Sequence, residues 1–175
     1  MKIRHIALLA CALPALAFAH GAKKLSVEET VEIKAPPAKV WEKAGQFGDL
    51  GAWLPPIKTT EIVAGKDNTV GAVRLLTTQD GGTVKEKLLK YSATQRMMKY
   101  AILGGVLPVS SYSATLEVKQ GATKDSSIVV WHARFKRKDI SDAPKADEDD
   151  ETATKTIHAV FRAGLDNLKA VSESK

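Results

Sequence analysis

The sequence predicts an α+β fold, a curved antiparallel sheet of about seven strands wrapped round one long C-terminal helix. Between Leu25 and Lys136, runs of alternating apolar and polar residues recur with turn residues between them, the period of half-buried strands. From Asp147 to Lys175 the period changes to three and four, with Ala153, Ile157, Val160, Phe161, Gly164, Leu168 and Val171 on one helical face. No gap between strands from Ile57 to Lys136 is long enough for a crossover helix, so successive strands should be antiparallel neighbours. Sheet and helix each have one apolar face, and packing them together buries both.

Taken in order, Leu25, Val27, Val31 and Ile33 with interleaved charges predict a first strand ending at Ala35. Pro36-Pro37 stops it and opens a short helix through Val40, Trp41 and Ala44, because proline fits a first helical turn. A second short helical stretch, Phe47 to Trp53, ends at Pro55-Pro56. Strands follow at Thr59 to Val63, Ala72 to Gln79, Val84 to Tyr91, Met97 to Leu103, Ser110 to Lys119 and Ile128 to Lys136. The turns between them are Gly65 to Asn68, Asp80-Gly81-Gly82, Gly104 to Pro108 and Gly121 to Asp125. Asp139 to Ala146 is a polar linker. The acidic run Asp147 to Glu151 then sits at the positive end of the last helix dipole.

Lys2 and Arg4 precede an apolar run from Ile6 that closes in Ala17-Phe18-Ala19, the layout of a secretory signal peptide cleaved before His20. Residues 1–19 are therefore read as signal and 20–175 as a single domain. The apolar run is too short for a membrane span. Leu8 to Cys11 loosely resembles a lipoprotein cleavage site, but the apolar segment ahead of Cys11 is too short for a signal core. Cys11 is the one cysteine, so the exported domain carries no disulfide and relies on its core. The formal charge of +6 falls near +4 without Lys2 and Arg4. Export argues against nucleic acid, and the basic excess favours an acidic protein partner. No metal-ligand set or cofactor motif stands out; an N-terminal His20 lacks a second histidine placed to complete a copper site.

Ala35-Pro36-Pro37-Ala38-Lys39-Val40-Trp41, Gly71-Ala72-Val73-Arg74 and Gly82-Thr83-Val84-Lys85-Glu86, in this element order, resemble the SRPBCC superfamily, START-like and polyketide cyclase-like. The resemblance spans about Val27 to Leu168. Leu107 to Leu116 and Ala163 to Lys169 are similar to the MxaD-type subgroup of periplasmic proteins associated with methanol dehydrogenase. It implies a helix-grip fold with a cavity between sheet and helix. It also implies a non-enzymatic periplasmic role in helping methanol dehydrogenase engage its cytochrome c acceptor. A carrier of a lipid or other small apolar ligand, and a cyclase- or hydrolase-like enzyme, are the alternatives.

Strand parity selects the inward side chains. Solvated Lys85 and Lys87 put Val84, Glu86 and Leu88 inward, and a three-residue Asp80-Gly81-Gly82 turn places Arg74 on the same face, diagonal to Glu86. The two are read as an ion pair, either structural or a polar anchor. By the same parity Met98, Tyr100, Tyr112 and Trp131 face the helix, where Phe161 lies and Gly164 leaves room. These eight residues are the candidate ligand cavity. Catalysis has little support, because neither His132 nor His158 has a carboxylate at a telling spacing. Lys85, Lys87, Lys136, Arg137 and Lys138, with Lys23, Lys24 and Lys90, make a candidate basic docking surface.

Overall fold

The computed structural model describes residues 22–174. The predicted signal, Cys11 and His20 lie outside that range, as does Lys175. Strand β1 (Leu25–Ile33) leads into helix α1 (Pro37–Ala44) and a 3-10 segment (Phe47–Ala52). Six strands follow, β2 (Ile57–Ala64), β3 (Val73–Thr78), β4 (Thr83–Ser92), β5 (Met97–Gly105), β6 (Val109–Gln120) and β7 (Ser127–Arg137), and then helix α2 (Asp150–Glu173). The strands form one antiparallel sheet in the order β1-β7-β6-β5-β4-β3-β2, so each hairpin neighbour pairs and the chain's first strand closes beside its last. This is the α+β architecture that the alternation and the helical stripe predict.

The inner face of the sheet is apolar strand by strand. Leu88, Met98, Tyr100, Ala114, Leu116, Val129, Trp131 and Ala133 are all buried, while Lys85, Lys87, Lys99 and Arg134 on the opposite face are exposed. Helix α2 lies along the inner face and buries Ala153, Ile157, Phe161, Gly164, Leu165 and Leu168. Its 24 residues run about 36 Å, enough to cross the sheet. The Asp149 side chain caps it by accepting from the Thr152 N–H at 2.7 Å.

Two local departures from regular strands shape the interior. The β3–β4 hairpin loop is Gln79-Asp80-Gly81, one residue earlier than the sequence suggests, with the Thr78 N–H donating to the Gly82 carbonyl at 2.8 Å and Gly81 at φ +89°. That register sets Arg74 directly opposite Glu86 instead of diagonal to it. In β6 an extra residue between Ser110 and Ser113, with Ser111 at φ +49°, forms a bulge against β7. The bulge switches side-chain parity, so both Tyr112 and Val109 turn inward.

Candidate functional site

Glu86 on β4 and Arg74 on β3 are both buried, and the arginine holds the carboxylate through one oxygen. Arg74 Nε donates to Glu86 Oε2 at 2.7 Å, and Arg74 Nη2 lies 2.6 Å from that same atom. Arg74 Nη1 donates to the Phe47 carbonyl at 2.7 Å, which ties the 3-10 segment to the sheet. The guanidinium lies 4.2 Å from the Phe47 ring centre and 5.0 Å from that of Tyr100, so aromatic faces complete its enclosure. Burial pushes the Glu86 carboxyl above its ordinary pKa, and the charge and hydrogen bond of Arg74 oppose that shift.

Next to this pair stands a run of aromatic groups. The Trp131 indole N–H donates to the Tyr100 hydroxyl at 2.9 Å. Trp131 stacks on Phe161 of α2 with ring centres 4.1 Å apart and planes 9° from parallel. The Tyr100 and Tyr112 rings are 6.4 Å apart. Burial raises the pKa of both phenols, with the nearby Glu86 charge adding to it, so each stays protonated across the ordinary pH range.

A cavity of about 100 Å³ lies between this cluster and α2. Of the eight residues selected from sequence, Glu86, Tyr100, Tyr112, Trp131 and Phe161 line it. The other three do not. Arg74 sits behind Glu86 against the Phe47 and Tyr100 rings. Met98 is buried in the core, cross-strand from Leu116 and Tyr91. Gly164 leaves no free room, because Leu54, Trp131 and Trp53 fill the space: a Cβ there would come within 2.7 Å of Leu54 Cδ1 and 2.9 Å of Trp131 Cζ3. The glycine lets α2 pack close to the aromatic layer.

Strand parity and the helical stripe also reach Val84, Ile157 and Val160, which line the wall, but not the residues that loops supply. Leu50 and Leu54, from the 3-10 segment and the turn after it, with Pro56, close one side. The half-buried Thr78, Ile102, Leu107 and Val160 form the rim. Leu50, Leu54, Pro56 and Leu107 come from loops and short turns, where alternation carries no information about direction, whereas Ile102 follows the inward parity of β5 and Val160 lies on the helical stripe; the double proline Pro55-Pro56 is the one signal that the chain turns beside Leu54.

The basic docking surface changes more. Lys85 and Lys87 are exposed on the outer sheet face, Lys136 is half-buried, and Lys138 is exposed but 3.1 Å from Glu148. Arg137 is not on that surface. It is buried, donating from Nε to the Asp139 carbonyl and from Nη2 to the Ser141 carbonyl, both at 2.6 Å, and pairing with Asp150 at 3.1 Å. It continues the inward parity of Ala133 and Phe135 and fastens the linker to the start of α2. Lys99 and Arg134 join the outer face instead. Among the described residues, Lys24, Lys85, Lys87, Lys99, Arg134 and Lys136 have no ion-pair partner.

The two histidines lie away from the cavity. His132 is half-buried on the outer face, and His158 is exposed with Nδ1 2.7 Å from Glu29. Among the described residues there is no cluster of three side chains suited to a metal and no helix long and apolar enough to cross a membrane.

The family model described as polyketide cyclase, dehydrase and lipid transport matches residues 24–173. The chain belongs to this family. Among solved structures it is similar to the Bacillus cereus protein XoxI, at 30% identity and a TM-score of 0.73, over 83% of this chain and 94% of that one. It is also similar to an uncharacterized Bacillus thuringiensis protein, at 29% identity and a TM-score of 0.75, over 86% of this chain and all of that one (100%). The MLP-like protein 423 of Arabidopsis thaliana is 27% identical over 117 residues, which are 61% of this chain and 73% of that protein. The curved sheet and its long C-terminal helix are thus a shared architecture. The arrangement offers an apolar chamber with a carboxylate and phenols at one end. Glu86 accepts two bonds from Arg74 through one oxygen, which leaves its carboxylate poorly placed to act as a strong base.

Proposed function

We propose that this protein is a non-enzymatic binding protein that holds one small, largely apolar molecule between the sheet and α2. The observation that carries this reading is the cavity itself, enclosed by aliphatic and aromatic side chains at the centre of a domain otherwise well packed. At about 100 Å³ it is comparable with a dry apolar cavity of ~150 Å³ that takes one benzene. Drug-sized ligands occupy pockets of ~300–1,000 Å³, so a long acyl chain would need the Leu107 and Val160 rim to move. The family's description as including lipid transport fits an apolar ligand.

The test is a titration of the ¹⁵N-labelled domain, residues 20–175, with benzene and toluene. The expected result is saturable amide shifts around Tyr112, Ile102 and Phe161, abolished in Val160→Phe, whose larger side chain fills the chamber from the rim. Shifts that are absent at millimolar ligand, or that persist unchanged in the filled variant, refute the reading.

A second reading is favoured by the unpaired cations on the outer sheet face. In it, the protein is exported to the periplasm and serves as an accessory to methanol oxidation, assisting methanol dehydrogenase and its cytochrome c acceptor, as the MxaD-type resemblance implies. The two readings use opposite faces of the sheet and are compatible. Capture of the dehydrogenase or the cytochrome from host periplasm at low salt, and its loss at ~0.3 M salt, where screening shortens to several ångströms, is the outcome this reading requires.

A further inference from the structure

The chamber is not uniformly apolar, and its one polar corner restricts what can occupy it. Both Arg74 nitrogens that reach Glu86 engage Oε2, at 2.7 and 2.6 Å. Among the described residues no donor engages Oε1, and Glu86 forms part of the cavity wall. The Tyr100 hydroxyl, also in the wall, accepts from Trp131 Nε1 at 2.9 Å; the Tyr112 hydroxyl in the same wall is its hydrogen-bonding neighbour, and two phenols that share one bond keep one proton to offer the cavity. An acceptor and a donor therefore meet the same enclosed space. A buried polar group left without a partner pays its desolvation cost uncompensated, so an occupant that satisfies both is favoured over one that satisfies neither.

We propose that this corner selects a small monohydroxylated apolar molecule, a phenol or a short branched alcohol, whose O–H donates to Glu86 Oε1 and whose oxygen accepts from the Tyr100 hydroxyl. A hydroxyl is the smallest group that offers a donor and an acceptor on one atom. A carboxylate ligand would set like charge against Glu86, and a pure hydrocarbon would leave both protein groups unsatisfied. The volume, about 100 Å³, limits the apolar part to roughly one ring or a short branched chain. This inference rests on the cavity-binding reading and adds the class of ligand to it.

Phenol and toluene separate the two claims, because they share a ring and differ by hydroxyl against methyl. Their affinities are measured by amide shift titration on the domain of residues 20–175, wild type and Arg74→Met/Glu86→Leu. The double variant removes the charges together and so avoids stranding either one. In wild type, phenol is expected to bind at least tenfold more tightly than toluene; in the double variant the order should reverse. Toluene binding wild type as well as phenol does overturns the hydroxyl preference while leaving the cavity reading intact. Binding of neither overturns the cavity reading itself. The wild-type comparison decides the point even where the double variant does not fold.

Discussion

Two buried charges facing one another across β3 and β4 are the main electrostatic commitment of the interior. Removing water from either one costs several kcal/mol unless the other compensates. Arg74→Ala and Glu86→Ala should therefore each lower unfolding free energy by about 3–5 kcal/mol, whereas Arg74→Met/Glu86→Leu should lose less than either, as read from urea denaturation midpoints. A double variant as unstable as the sum of the singles would mean that the pair contributes through the Arg74 bond to Phe47 and not through charge balance. Parity read from sequence found Glu86, Tyr100, Tyr112 and Trp131, because a strand with one solvated face leaves no choice for its alternate residues. It also assigned Arg137 wrongly. The run Lys136-Arg137-Lys138 reads as a solvated tract, yet the alternation that buries Ala133 and Phe135 carries on to position 137. The arginine accepts burial there because two carbonyls and Asp150 meet its nitrogens.

At the scale of elements, α2 depends on how it starts and how closely it lies. Asp149 caps its first turn, and the hydrogen bonds from Thr152 hold its carboxyl below the ordinary carboxylate range. A depressed folded-state pKa contributes stability that is present above the unfolded value and is lost as pH falls through the folded one. Asp149→Asn keeps an acceptor but cannot titrate. Its thermal midpoint should fall less steeply than that of wild type between pH 4 and 2, and parallel curves would remove Asp149 from the acid response. The close approach is set by Gly164. Alanine there gains about 1 kcal/mol of helix propensity but meets Leu54, Trp131 and Trp53, and overpacking of this kind costs about 1–3 kcal/mol. Gly164→Ala should lower the melting temperature and weaken benzene binding, because Leu54, the side chain nearest the added methyl, also lines the cavity. The sequence made the helical stripe plain but not its depth. Leu165 is fully buried four residues after Phe161, yet Gly164 and Leu168 already satisfied the spacing. A glycine on an apolar face reads equally well as space or as contact, and only the facing tryptophans decide which.

For the molecule as a whole, one sheet separates two environments. Its inner face closes over the aromatic cluster and α2, and its outer face carries Lys85, Lys87, Lys99, Arg134 and Lys136 across its middle strands, with Glu28 on β1, Glu61 on β2 and the Lys119-paired Glu117 on β6 as carboxylates of the same face. Lys87 lies cross-strand from Ala101, Ala101 from Ser113 and Ser113 from Arg134, so these two cations are three strand spacings apart, about 14 Å. Lys99, cross-strand from Thr115 and then His132, extends the same face. Spacing beyond a Debye length of ~8–10 Å makes these charges nearly independent at physiological salt, so an acidic partner is attracted by their number and not by one pair. On the accessory reading proposed above, Lys87→Glu/Arg134→Glu should then abolish capture of an acidic partner at low salt by slowing encounter. The melting temperature should stay within the range of ordinary surface substitutions, about ±0.5 kcal/mol in stability, and toluene affinity should be unchanged because the cavity lies on the other face. Capture that survives the double charge reversal would place any partner elsewhere, while capture and toluene binding lost together would show that the two faces are coupled through the strands they share.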